Sequence, residues 1–293
     1  MTLIALWHPE SGSLQVASDS RATFDCSFAD IAVKITEIDL RIFASTPAGS
    51  PEDFEPDLLI ERTLGLSVVG SLTSTLTCAS VLRPILGGLQ IAEGLTDYSL
   101  VSVAKIVGAV FERVAKEVCQ AIFEKGEGAI VLIGKCPLSG DVAAYKITVD
   151  SRTGALASSV ERLPVGTRPI FLGSESGRQA AENLLARNPK LIGFRVVRQV
   201  CDDENVSSVG GNVQFGAVDG DDFRTWGVHE FEVDDASRIV RTGFFVAGVE
   251  LFGPNDALSN LGFVPRHPFV SPFRPDIELL IRRGYTVGSF GES

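Results

Sequence analysis

The 293-residue sequence is short of several residue types, and each shortage closes off a class of function. Only three histidines occur, His8, His229 and His267. They stand far apart, and no H-E-x-x-H or Cys-x-x-Cys spacing accompanies them, so no metal site is expected. Positive charge is scarce: 26 Lys and Arg face 37 Asp and Glu, for a net charge of −11. Such a surface repels a phosphate backbone and argues against a nucleic-acid partner. No run of eighteen apolar residues is present, so no segment is expected to span a membrane. The N-terminus has no basic stretch ahead of an apolar one, and Pro9 and Glu10 follow early, so a secretory signal is not expected. The cysteines (Cys26, Cys78, Cys119, Cys136, Cys201) are odd in number and widely spaced. They are expected to be buried free thiols in a reducing cytoplasm. There is no G-x-x-x-x-G-K-[ST] and no strand-linked G-x-G-x-x-G, so no ATPase or dinucleotide domain and no cofactor is expected. DGDD at 219–222 fails the calcium-loop spacing and reads as a hairpin turn.

What the sequence does have is apolar content, 45% of residues against 22% charged, enough for a sizeable core. The runs TLIALW (2–7) and SLQVAS (13–18), joined by HPESG, predict a β-hairpin. A short strand is expected to end near Lys34 and Ile35, with IDLRIF (38–43) as its continuation. Residues 45–57, rich in Pro, Ser and acid, read as a loop. LGLSVVG (64–70) is a strand stopping at Gly70. A helix then starts near 71–73, with Pro84 as its bend or end. Residues 99–124 repeat Val103, Ile106, Val107, Val110, Val114, Val118 and Ile122 at helical spacing. AIVLIG, VAAYKITVD and ALASSVERL are strands separated by turns. RPIFLG leads to a helix opening at a serine, and GFRVVRQVCDDEN predicts another. VGGNVQFGAVDG (209–220) and the stretch from His229 to Val249 read as two or three more strands. The last forty residues read as an extended arm with one short helix near 276–283. Blocks of strands alternating with pairs of helices point to sheets covered by helical layers.

The residues that carry chemistry lie in the first thirty-four. Thr2 opens the first strand. V-A-S-D-S-R-A-T supplies Asp19, Arg21, Ala22 and Thr23, and A-V-K-I supplies Lys34. A threonine hydroxyl is a weak nucleophile and needs a base. An α-amino group, with a pKa of about 7.7–8.0, is partly neutral at working pH. On the same residue it is already in place. A nearby ammonium disfavours a second positive charge there and stabilises a developing oxyanion. This chemistry requires removal of Met1, and threonine is small enough for that. The structural alternative is that Thr2 is merely the first β-branched residue of a strand.

In this set and order the sequence resembles the N-terminal nucleophile hydrolases, and within them a proteasome β-type subunit. The resemblance implies Thr2 as nucleophile and base, Lys34 as electrostatic partner and Asp19 as its anchor. It implies Gly70 as an oxyanion-hole donor and Ser174, in FLGSESG, as the serine near the catalytic amine. Ser174 is explained nearly as well as a helix cap. The polar groups ahead of Gly210 and Gly211 are Asp203, Asn205, Ser207 and Ser208, and which one takes the place of the family's acid stays open. Ala32, Val68 and Leu72 map to the pocket walls but are equally good core residues. The implied fold is α+β, a four-layer αββα sandwich over residues 2–250, with a C-terminal extension over 251–293. The implied function is a cytoplasmic threonine peptidase acting on peptides or proteins as a homo-oligomer, ring or stacked. A separate ATPase feeding it has no support in this chain. Alternatives are a small-molecule amidohydrolase and an inactive structural subunit.

Overall fold

The computed structural model describes residues 2–10, 12–24, 27–46, 51, 55–122, 128–150, 156–233, 239–251 and 269–270. They form a mixed α/β structure with four helices and three sheets. The first sheet contains β1 (Leu3–Trp7), β2 (Gln15–Ser18), β11 (Ile170–Gly173), β12 (Gln214–Asp219), β13 (Asp222–Val233), β14 (Ile239–Val246) and β15 (Val249–Leu251). Their order is β11-β1-β2-β12-β13-β14-β15, and β16 (Phe269–Val270) pairs with β13 in parallel. The second sheet contains β5 (Ile35–Phe43), β6 (Leu58–Gly70), β7 (Leu89–Gln90), β8 (Gly128–Lys135), β9 (Val142–Asp150) and β10 (Ala157–Arg162), ordered β10-β9-β8-β6-β5-β7. β3 (Ala22–Phe24) and β4 (Ser27–Ala29) make a separate small hairpin.

Alternation along the strands assigns each sheet face. On β8, Ile130 and Leu132 pack with α1 (Leu72–Leu86) and α2 (Leu100–Ile122), through residues such as Leu82, Leu86, Val107 and Phe111. Val131 and Ile133 point the other way and join Ile4 and Leu6 of β1, Val16, Val218 and Phe223. On β1, Leu3, Ala5 and Trp7 pack with α3 (Glu175–Arg187) and α4 (Gly193–Cys201) through Ala181, Leu185, Phe194 and Val197. Both faces of β1 and β8 are therefore buried, which is why LIALW and AIVLIG are continuous apolar runs. The cluster holding Ile4 and Val131 draws residues from both sheets.

Most elements follow the sequence reading; the β3–β4 hairpin, β7 and β16 are additions to it, four strands (β12–β15) stand where two or three were expected, and three boundaries differ. The strand expected to end at Lys34–Ile35 instead begins at Ile35, and 31–34 is irregular chain. β6 starts six residues early, at Leu58, because it pairs with β5 along that strand's whole length. Pro84 lies inside the last turn of α1, where the helix runs two residues further. Cys78, Cys119, Cys136 and Cys201 are free, and burial pushes the Cys78 thiol up to about 12. Cys26, most of the extension over 251–293 and the helix near 276–283 lie outside the described residues. Among the described residues, no helix is long and apolar enough to cross a membrane.

Candidate active site

The hairpin β1–β2 pairs Ile4 with Ser18, so Asp19, the residue after β2, comes to rest beside the start of β1. Asp19 is fully buried and its carboxylate is saturated with donors. Oδ1 accepts from Leu3 N at 2.9 Å and from Lys34 Nζ at 2.8 Å. Oδ2 accepts from Arg21 N at 3.2 Å and Gly210 N at 3.3 Å. Lys34 is also fully buried. Burial pushes its ammonium below the ordinary lysine range, and Asp19 pulls the other way.

Lys34 is held by its backbone as well. Gln214 Oε1 accepts from Lys34 N at 2.9 Å and Ile35 N at 3.2 Å, while Gln214 Nε2 donates to Ala32 O at 2.6 Å. Lys34 O accepts from Val68 N at 3.0 Å. The irregular segment before β5 thus divides its partners between a side chain of β12 and the backbone of β6.

Thr2 is 1% exposed. Its carbonyl accepts from Ser174 N at 2.8 Å. Gly173 has φ +130°, and a Cβ there would sit 1.9 Å from Thr2 O. Only glycine allows β11 to approach the chain start this closely. Ser174 caps α3, accepting from Gly177 N at 3.3 Å. Its hydroxyl also lies 2.8 Å from Ser208 Oγ, which lies 2.9 Å from Ser176 Oγ. Of the four polar candidates ahead of the glycine pair, the one meeting Ser174 is therefore Ser208. Asp203 and Asn205 bond to each other in an exposed turn instead. Ser207 offers its carbonyl to Arg21 Nη1 at 3.3 Å. Arg21 forks onto Asp30 at 2.7 and 2.9 Å. A Cβ at Gly210 would stand 2.3 Å from the Arg21 guanidinium carbon, so that glycine makes room for the fork.

Gly70 ends β6 at φ +94° and lines a cavity of about 440 Å³ together with Gly173, Lys146 and Arg178. Val68 and Leu72 do not line it; they belong to the core beneath α1. Ala32 serves through its carbonyl. The structure thus brings Thr2, Asp19, Lys34 and Ser174 to one end of β1, with Gly70 on the rim of the adjoining cavity. The sequence reading did not single out Gly173, Ser176 or Gln214. A lone glutamine inside the apolar run VQFGAV was the signal for Gln214, since a buried amide needs partners. Among the described residues, no group of three or more His, Cys, Asp or Glu stands ready for a metal.

No family model matches the chain, and no curated protein matches it. It is similar to the helical assembly of the Anbu complex from Pseudomonas aeruginosa, at 16% identity over 77% of this chain and 86% of that one, with a TM-score of 0.49. It is similar to Anbu (ancestral beta-subunit) from Yersinia bercovieri, at 15% identity over 73% and 80%, with a TM-score of 0.46. A third is Anbu from Hyphomicrobium sp. strain MC1, at 14% identity over 85% and 89%, with a TM-score of 0.47. The expected membership of the N-terminal nucleophile hydrolases as a proteasome β-type chain is corrected by these findings. No family match supports it, and likenesses this shallow assign neither family nor activity. The physical reason is that the matching positions have structural work of their own. Asp19 ties the hairpin, Arg21 forks onto Asp30, and Lys34 completes a buried ion pair.

Proposed function

We propose that this chain hydrolyses amide bonds, those of peptides foremost, through an acyl-enzyme on Thr2 Oγ, with the α-amine of Thr2 as base once Met1 is removed. The observation that supports this most is the sharing of Asp19 Oδ1. One buried oxygen holds both the N–H that follows Thr2 and the Lys34 ammonium. A buried cation near the chain start favours a neutral amine and a developing anion. In this reading the amine takes the hydroxyl proton as Oγ attacks the carbonyl carbon, and gives it to the leaving amine. Water then cleaves the ester by the reverse transfer. The Gly70 N–H is the proposed oxyanion donor. The hydroxyls of Ser174, Ser208 and Ser176 are the proposed polar support. The two sheets are read as facing each other with a helical layer outside each. The chain is read as a homo-oligomer, and the exposed apolar Phe28 and Ile31 of the small hairpin region are surface that assembly would cover.

A second reading keeps the chemistry and changes the substrate. Thr2 is 1% exposed with Met1 attached, and a site that stays this covered once Met1 is removed favours small amides over peptides. A peptide library run against simple acyl amides separates the two. The test of the chemistry is covalent labelling by an electrophilic peptide warhead, read by mass spectrometry. The expected product is a chain beginning at Thr2 and labelled there, with Thr2→Ala unlabelled and unable to hydrolyse. An active protein that retains Met1, or a Thr2→Ala variant that still turns over, overturns the mechanism.

A further inference from the structure

The face of each sheet that meets the other is apolar in its middle and changes character at one end. On β1, Ile4 and Leu6 face the second sheet, so alternation gives Thr2 the same face. On β9, Ala144 is the last apolar residue of that face, and Lys146, Thr148 and Asp150 continue it. Beyond Ala144 the inter-sheet cluster ends and the cavity of about 440 Å³ begins, bordered by Gly70, Gly173, Lys146 and Arg178. Gly173, which borders the cavity, pairs with Leu3, and the next residue's N–H is bonded to the Thr2 carbonyl, so the cavity lies beside the Thr2 site.

Its charge runs against that of the chain. The protein carries −11 overall, yet this lining holds two cations against one carboxylate, Asp150, which already has a partner. Neither Lys146 nor Arg178 makes an ion pair with a described residue. Glu161 stands across from Lys146 on β10 without closing one. Lys146 is half-buried among apolar strands, where a cation gains most from an anion that enters with its ligand.

We propose that this cavity receives a carboxylate of the substrate, from an acidic side chain or a chain terminus, with Lys146 and Arg178 as the residues that select it. The proposal rests on Thr2 as the reacting residue, since that is what makes the neighbouring cavity a substrate subsite. Arg178, near the start of α3, offers a planar fork suited to a carboxylate, and Lys146 a point charge at the cavity wall. Gly70, the proposed oxyanion donor, and Gly173 both border this subsite.

Binding to the Thr2→Ala protein tests the subsite apart from turnover. The probes are fluorescein-tagged tripeptides of two alanines and a glutamate, with amidated or free C-terminus, and the same pair with glutamine. Fluorescence anisotropy reads their dissociation constants. The amidated glutamate probe is expected to bind about tenfold tighter than the amidated glutamine probe, an advantage that falls as salt rises. A free C-terminus that restores binding to the glutamine probe identifies the terminal carboxylate as the source. Lys146→Glu and Arg178→Glu, checked for unchanged melting temperature, are each expected to abolish the preference, and Lys146→Gln to reduce it several-fold. Equal affinity for all probes, no binding of any, or a preference that survives both charge reversals overturns the proposal. Labelling of Thr2 in the wild-type chain without charge preference sinks the subsite alone. Charge-dependent binding without Thr2 labelling sinks the catalytic reading alone.

Discussion

Replacing Asp19 with asparagine keeps the side chain's shape and removes its charge. In the native protein one oxygen serves Lys34 Nζ and Leu3 N, and the other serves Arg21 N and Gly210 N. An amide has one acceptor atom, so two of these four donors must face an NH2 group. If the oxygen stays with Lys34, two backbone N–H groups lose their partner. If it turns away, a buried ammonium does. Leaving one member of a buried pair uncompensated costs about 3–5 kcal/mol, and an unsatisfied buried donor about 1–3 kcal/mol. Asp19→Asn is therefore expected to lose about 3–5 kcal/mol, a large part of the roughly 5–15 kcal/mol that holds a typical fold. Urea unfolding measures this as a lower midpoint at unchanged slope. The internal control is Arg41→Ala. Its contact with Glu61 is 2.9 Å long, almost the Lys34–Asp19 distance, but it is exposed. Removing it is expected to cost less than about 1 kcal/mol. If both variants lose the same small amount, burial is not what gives Asp19 its weight, and the reasoning fails.

Two further outcomes are expected. Gly173→Ala forces a methyl group into the Thr2 carbonyl at a φ unfavourable to alanine, so it is expected to part β11 from the chain start. It should lower hydrolysis at least tenfold and the melting temperature by several degrees, read by rate assay and calorimetry. The Lys34 prediction concerns pH. Burial lowers its folded pKa, so between that value and the ordinary 10.5 the unfolded chain binds more protons. The penalty for charging Lys34 is complete below its folded pKa, and stability from this group rises with pH across the window. Lys34→Met is expected to flatten that rise in melting temperature against pH. An identical slope in the variant would refute the assignment.

Much of the layout was legible because it is written in periods. α2 repeats its apolar residues at helical spacing, and β1 and β8 announce two buried faces by running apolar without a break. The cation was harder to place. The sequence around Lys34 is mildly apolar, which reads as strand, and nothing local reveals that Gln214, 180 residues away, supplies the backbone partners that let the segment stay irregular. Which of Asp203, Asn205, Ser207 and Ser208 stands for the family's acid is not legible in the sequence, because turn geometry before Gly210 depends on Arg21 reaching in from far along the chain. The family assignment failed for a different reason. A short ordered motif has little weight when each of its residues also serves the folding of its own hairpin.

The Gln214 amide has a mechanical consequence. Lys34 leads into a strand of the second sheet, yet its approach is anchored to β12, which flanks β2, which flanks β1 and hence Thr2. Lys34 is therefore bonded to both sheets at once, to β12 through its N–H and to β6 through its carbonyl. If the two sheets slide against each other under strain or during ligand entry, the shear passes through Lys34, so the ion pair with Asp19 beside Thr2 is the contact that registers it.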